Sequence, residues 1–220
     1  VQKVVEPLPG TKADGQIISD IMNVMGYSQT AYDPDLLLQE ISQIVPFFAG
    51  VTWENLGHNG KQWPVKEDGT DTKILHTETF KHGKGKFHFF DWEESGELQK
   101  HSKEYPYIIT TNRELEHYNC GTMTRRTRNV HILTEDVILI NPLDAARHFI
   151  NEGDMVCVES PRGRVDIKAR ITDQVKPGVL SSTFHFPEVM LNNITSDEHD
   201  SEAMCPEYKV VAVNIRKSKG

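Results

Sequence analysis

The side chains in this chain best suited to holding an anionic or heterocyclic ligand are concentrated between Thr110 and Arg128. This almost wholly polar stretch contains Arg113, Arg125, Arg126 and Arg128, together with Thr111, Asn112, Glu114, His117, Asn119, Gly121 and Thr122. A guanidinium fork matches two oxygens of a phosphate or carboxylate at once, whereas amides and hydroxyls pair with the edges of a heterocycle. An ordinary solvated loop draws on the same residue types. The run Arg125-Arg126-Thr127-Arg128 is also locally basic, as a nucleic-acid patch would be. Against nucleic acid stand the net charge of −8 and the lack of an aromatic-rich platform beside the arginines. A nucleotide-like cofactor is the reading that uses these residues most fully.

Such a loop needs a rigid base. Tyr107-Ile108-Ile109 reads as a buried strand, and a polar segment leaving a strand end keeps its amides and side chains free for a ligand. Downstream, Val137-Ile138-Leu139-Ile140 predicts a second strand. Asn141 then caps a short helix begun by Pro142, with Asp144 near its positive end. The runs 155–159 and 165–171 flank Pro161-Arg162-Gly163 as a hairpin, Val179-Leu180 follows a Lys-Pro-Gly turn, and Val210 to Val213 form a last buried strand. Many short strands with one short helix predict a mainly β or α+β domain, closed as a compact barrel.

The first hundred residues read differently. Apolar residues from Ile17 to Met25 recur at helical spacing and end at Gly26. Asp33 and Pro34 open a second amphipathic helix carrying Leu37, Leu38, Ile41 and Ile44. Neither helix has an evident core to pack on. Residues 49–92 predict turns and short strands, and Gly83-Lys84-Gly85-Lys86 lacks the spacing of a phosphate loop, so it reads as a lysine-bearing turn. The charged run Glu97 to Glu104 has no apolar stripe and is the expected linker. The expected organisation is therefore a partial α/β segment, residues 1–104, ahead of a β domain, residues 105–220.

Composition narrows the class further. At 220 residues and 25.0 kDa, with 37% hydrophobic and 25% charged residues, the chain suits a globular protein. No run approaches the roughly 20 apolar residues of a membrane span, so membrane insertion by this chain is not expected. Cys120, Cys157 and Cys205 are far apart, and no HExxH or CxxC spacing occurs, so no metal site is expected. Cysteine usage suits a reducing compartment, the cytoplasm, with the periplasm as the alternative if a leader precedes Val1. Val1 opens the chain and the first methionine is Met22, so a longer reading frame is expected.

The wording Arg113-Glu114-x-x-His117-Tyr118-x-x-Gly121-Thr122-Met123-Thr124, placed after an apolar strand, resembles the signature of the molybdopterin-dinucleotide-binding C-terminal domain of the dimethyl-sulfoxide-reductase superfamily. Continued through Arg125-Arg126-Thr127, it is most similar to the catalytic (alpha) subunits of formate dehydrogenases. Trp53-Glu54, Gln62-Trp63-Pro64 and Gly85-Lys86-Phe87-His88 are similar, more loosely, to the segment preceding that domain.

The resemblance covers about residues 105–217 and implies a double-psi β-barrel. It also implies a molybdopterin guanine dinucleotide carrying molybdenum or tungsten, of which the family binds two. Three places are implied to contact it. These are Thr111, Asn112, Arg113 and Glu114 with His117, Asn119, Gly121 and Thr122; Asn192 within Asn192-Asn193-Ile194-Thr195; and Lys209 before the last strand. Gly121 would permit close backbone approach, and Arg113 and His117 would pair polar edges or phosphate. Phe184 and His185 are candidates for lining the funnel above the metal, although a histidine in an aromatic run also suits a packing role. No catalytic residue is implied here, since the metal-ligating cysteine or selenocysteine and the [4Fe–4S] cysteines of the family lie in earlier domains. The expected partners are the remainder of the same subunit and electron-transfer subunits. The isolated chain is expected to be inactive. A nitrate reductase shares much of this domain, and a stand-alone β-barrel binding module is the reading from a different class.

Overall fold

The computed structural model describes residues 3–218, which form two compact units divided between Phe89 and Phe90. The first unit contains α1 (Asp14–Val24) and α2 (Pro34–Ile44), followed by turns. The Asp33 carboxylate accepts from the Asp35 and Leu36 amides at 2.9 and 3.3 Å, and Pro34 takes the position whose N–H would have had no partner. These local signals suffice to set the helices. Neither helix has a buried residue, and Ile18, Ile21 and Ile44 stay exposed. Among the described residues, Val51 and Val65 are the only buried hydrophobic side chains of this unit. The Gly83 segment is a turn, with the Gly83 amide donating to the Phe80 carbonyl at 3.0 Å.

The second unit is a closed six-stranded barrel. Its strands are β1 (Tyr107–Thr111), β2 (Val137–Ile140), β3 (Met155–Ser160), β4 (Gly163–Ile171), β5 (Val179–Ser182) and β6 (Val211–Lys217), paired in the order β1-β5-β2-β4-β3-β6. Two pairs, β1 with β5 and β2 with β4, are parallel and the others antiparallel, making this a mainly β, double-psi barrel. Alternation along β4 turns Val165, Ile167 and Ala169 inward and Arg164, Asp166 and Arg170 outward. Ile109, Ile138, Ile167, Leu180 and Val213 are almost completely buried in the centre. Each such side chain contributes about 1.5–3 kcal/mol relative to exposure.

Strand direction determines where the loops gather. Thr111 pairs with Ser182 at the ends of two parallel strands, Ile138 pairs with Ser182 near the start of β2, and Val211 at the start of β6 pairs with Ile109. The segments 112–136 and 183–210 therefore both begin and end on one rim of the barrel. At the opposite end, α4 (Pro142–Arg147) is capped by Asn141, whose Oδ1 accepts from Leu143 N at 3.0 Å. Its buried Asp144 accepts the Gly178 amide at 2.7 Å, anchoring the turn before β5.

The expected linker is corrected by the structure. Residues Gly96–Gln99 form a short helix, α3, which opens at Ser95 and belongs to the second unit. Glu97 is fully buried. Its carboxylate accepts from Arg162 Nη1 and Nη2 at 3.0 and 2.7 Å, Lys100 Nζ at 3.2 Å, Ser196 Oγ at 3.1 Å and the Ala212 amide at 2.9 Å. Sequence proximity revealed only the lysine, so the run read as solvated charge. Burial pushes the carboxyl upward, but bonds from Arg162 and Ala212 outweigh it and hold Glu97 below the ordinary glutamate range.

Because the folded-state value is lowered, this group contributes stability above its unfolded value near about 4.3, and the contribution is lost as pH falls through the folded value. Glu97→Ala should cost the barrel about 3 kcal/mol, by removing the buried carboxylate that the partly buried Arg162 and the Ala212 amide both use. Urea unfolding of the full chain, followed by amide exchange in the barrel strands, would measure this. Wild type should lose stability more steeply than Glu97→Gln as the pH is lowered below 5, and parallel curves would contradict the assignment.

Candidate functional site

The loop leaving β1 is shaped by buried polar side chains. His117 lies inside it, with Nε2 facing the Leu133 carbonyl at 2.9 Å and Nδ1 facing Thr124 Oγ1 at 2.9 Å. A carbonyl can only accept, so Nε2 carries a proton, and the Thr124 hydroxyl can donate to Nδ1 while accepting from the Tyr118 amide at 3.2 Å. Gly121 is buried at φ +70°, and a Cβ there would lie 2.6 Å from the His185 carbonyl oxygen and 2.8 Å from Arg125 Cδ. Its close backbone approach is thus to the protein's own chain.

The second rim segment meets this loop through Asp136 and His185. The buried Asp136 carboxylate accepts from Thr183 Oγ1 at 2.5 Å, His185 N at 3.2 Å and Phe186 N at 2.8 Å. His185 has no exposed surface; its Nε2 accepts from the Glu114 amide at 3.0 Å and its Nδ1 donates to the Asn119 carbonyl. That corrects its candidacy as a funnel wall, because a buried ring with both nitrogens engaged has nothing to offer a funnel. Phe184 is half-buried beneath the Arg113 guanidinium, 5.1 Å from the ring centre, so one of its faces is already covered. His117 is likewise engaged at both nitrogens and supports the loop from within, where pairing with a phosphate or polar edge had been expected of it.

What the loop leaves exposed is a polar set. Arg113 donates from Nη1 to Asn119 Oδ1 at 2.5 Å, with Asn119 at φ +48°, while its second terminal nitrogen has no protein partner among the described residues. Asn112 donates to Ser181 Oγ, which ties the loop's first residue to β5. Lys209 Nζ donates to the Thr111 carbonyl and lies 3.5 Å from Thr111 Oγ1, so the buried end of β1 orients an ammonium that retains a third proton. Glu114 and Thr122 are exposed. Asn192 sits on a turn (Leu191–Asn193) anchored by buried Leu191 and Ile194. Arg162 Nη2 donates to the Ile194 carbonyl at 3.2 Å, and Gly163 is packed so closely that a Cβ would meet the Asn193 carbonyl at 2.9 Å.

The rim therefore brings together Thr111, Asn112, Arg113, Glu114, Asn119 and Lys209, and it carries Thr122 and Asn192. Arg125, a candidate for holding a ligand, is engaged within the protein. It lies 4.7 Å over Phe186 and pairs with Glu188 at 2.5 Å, holding that carboxyl below its usual range. Arg126 and Arg128 stay exposed. Two cations with donors to spare, an acceptor-only carboxylate and several amides make a surface suited to a phosphate-bearing heterocycle.

Residues 107–212 match the molydopterin dinucleotide binding domain, a span running from the start of β1 into β6. They belong to that family. Over an aligned length of 223 that takes in 99% of this chain, the sequence is 38% identical to the F420-dependent formate dehydrogenase subunit alpha of Methanocaldococcus jannaschii, covering 33% of that protein. It is 30% identical to formate dehydrogenase H of Escherichia coli, covering 97% of this chain and 31% of that protein. The chain thus spans about a third of the length of these relatives. Acetylene hydratase from Pelobacter acetylenicus has the same fold at a TM-score of 0.66 and 19% identity, covering 99% of this chain and 34% of that one. Within the molydopterin dinucleotide binding domain, sequence reasoning missed Asp136 as a functional support. An aspartate just before an apolar strand has the local look of a solvated loop charge.

Gly121→Ala should disturb this domain more than Gly153→Ala. Both glycines have positive φ, near 70° and 79°, which costs an alanine about 1–3 kcal/mol, but only Gly121 also meets backbone within 3 Å. Urea midpoints of the two variants test this, and equal losses would place the loop's packing elsewhere.

Proposed function

We propose that this chain holds a molybdopterin guanine dinucleotide on the rim formed by residues 111–122, 192–195 and 209. In this reading it forms part of a formate dehydrogenase alpha subunit that oxidises formate to carbon dioxide and passes two electrons to iron–sulfur centres. The observation that carries the reading is the convergence on one rim of Arg113 and Lys209, each oriented by a protein contact and each retaining donors. The similarity to formate dehydrogenase alpha subunits along nearly the whole chain supports the choice of enzyme.

The donor set fits the cofactor. Arg113 offers a planar fork to phosphate oxygens, Lys209 a point charge, and Glu114 an acceptor for an amino edge. Asn112, Asn119, Thr122 and Asn192 would pair the remaining polar edges, while His117, Gly121 and His185 hold the surface in shape. The bound group supplies the redox chemistry, through molybdenum or tungsten, and the protein supplies orientation and charge. Among the described residues no group of three His, Cys, Asp or Glu side chains could hold a metal ion. The metal ligand and a [4Fe–4S] centre are assigned to other parts of the subunit, with the unit Val1–Phe89 as the tail of the preceding domain. Among the described residues no helix is long and apolar enough to cross a membrane. We assign the enzyme to the cytoplasm, with an electron-transfer subunit as partner.

The test uses full-length enzyme carrying Arg113→Ala, Arg113→Lys or Arg126→Ala. Arg113→Lys keeps the charge but loses the fork, so both Arg113 variants should lose bound pterin and formate oxidation, while Arg126→Ala keeps them. A charge-assisted bond of about 1.5–3 kcal/mol corresponds to roughly 10- to 150-fold weaker retention. Wild-type cofactor content in Arg113→Lys together with loss in Arg126→Ala would overturn the placement.

A further inference from the structure

His185 lies outside the polar surface and touches its backbone at two points. Nε2 takes the amide of Glu114, the residue after Arg113, and Nδ1 donates to the carbonyl of Asn119, Arg113's hydrogen-bond partner. The imidazole thus spans the two ends of the 114–119 segment from beneath. Its protonation pattern follows from those partners: Nε2 faces an N–H and must be bare, whereas Nδ1 faces a carbonyl and must carry the proton. The backbone that carries the ring is itself held, because Asp136 accepts the main-chain amides of His185 and Phe186. Gly121 packs against the His185 carbonyl oxygen.

We propose that His185 is the positioning residue of the cofactor loop, a buried Nδ1–H imidazole that fixes the separation of Glu114 and Asn119. It thereby holds the Arg113–Asn119 pair in the geometry that meets a phosphate-bearing ligand. The proposal rests on the cofactor reading above for what the loop binds, but the clamp itself does not depend on it. A ring that merely filled space would need only its shape. This one needs a donor at one nitrogen and an acceptor at the other.

Three variants separate these roles. His185→Phe keeps the aromatic body and neither bond; His185→Gln can place an oxygen where Nε2 stood; His185→Asn can place an amide N–H where Nδ1 stood. In the full chain without cofactor, amide exchange at Glu114 should speed up roughly tenfold or more in the Phe and Asn variants and stay near wild type in Gln. Amides of β1 and β5 should stay protected throughout, and nitrogen-15 spectra of wild type should show His185 as the Nδ1–H tautomer. Unchanged Glu114 exchange in His185→Phe, or the opposite tautomer, would overturn the clamp.

In the full-length enzyme His185→Phe should lose bound pterin and His185→Gln should retain more of it. Arg113→Ala serves as the reference for the cofactor reading. If Arg113→Ala loses pterin but a loosened His185→Phe keeps it, positioning by His185 is wrong; if Arg113→Ala itself keeps pterin, the cofactor reading fails instead.

Discussion

The position of β1, hydrogen-bonded to parallel β5 on one side and antiparallel β6 on the other, is the constraint from which the rest of the barrel domain follows. Parallel pairing puts the ends of β1 and β5 on one rim, and antiparallel pairing puts the start of β6 there too. Across this rim the chain passes from β1 to β2 and from β5 to β6, strands that are not paired with each other, so each connection is a long excursion past an intervening strand and not a tight hairpin. In this barrel the excursions are 112–136 and 183–210, and both are polar. Register thus produces a polar rim before any side chain makes a specific contact.

A polar rim packed on an apolar barrel requires every buried polar group to find a partner, since an unpaired one costs about 1–3 kcal/mol. Asp136 answers for one excursion and Glu97 for the other. The first carboxylate takes two amides and a hydroxyl from 183–186, and the second joins Arg162, Ser196 and the first residues of β6. With these anchors satisfied inside, Arg113 and Lys209 are each oriented by a single strong contact and leave hydrogen-bonding capacity at the surface. An oriented cation with spare donors binds an anion with little further ordering, which favours ligand retention.

Local chemistry made much of this legible in the sequence. Asp33-Pro34 and Asn141-Pro142 announce helix starts by capping within three residues, the 155–171 hairpin shows its alternation, and the polar loop stands out after an apolar strand. The signature beginning at Arg113 led to the right family, and most exposed candidates lie on one rim. What was hidden depends on contacts distant in sequence. Glu97 finds Arg162 and Ala212, Asp136 finds His185, and Arg125 finds Phe186 and Glu188, all partners that local sequence does not show. The histidines were misread for the same reason. Nothing adjacent to His117 or His185 reveals that both ring nitrogens are already taken. The two early helices show the converse, since their amphipathic pattern predicted a packing face and the described residues leave it uncovered.

We place the pterin dinucleotide on the rim joining β1, β5 and β6. An experimental structure of the cofactor-loaded full-length subunit tests it most directly. The account predicts phosphate oxygens within hydrogen-bonding distance of Arg113 and Lys209, polar edges near Glu114, Asn119 and Asn192, and no contact to the His185 ring. Cofactor density on another face, such as the outer wall of β3, β4 and β6 around Cys157, Arg164 and Arg216, would contradict it.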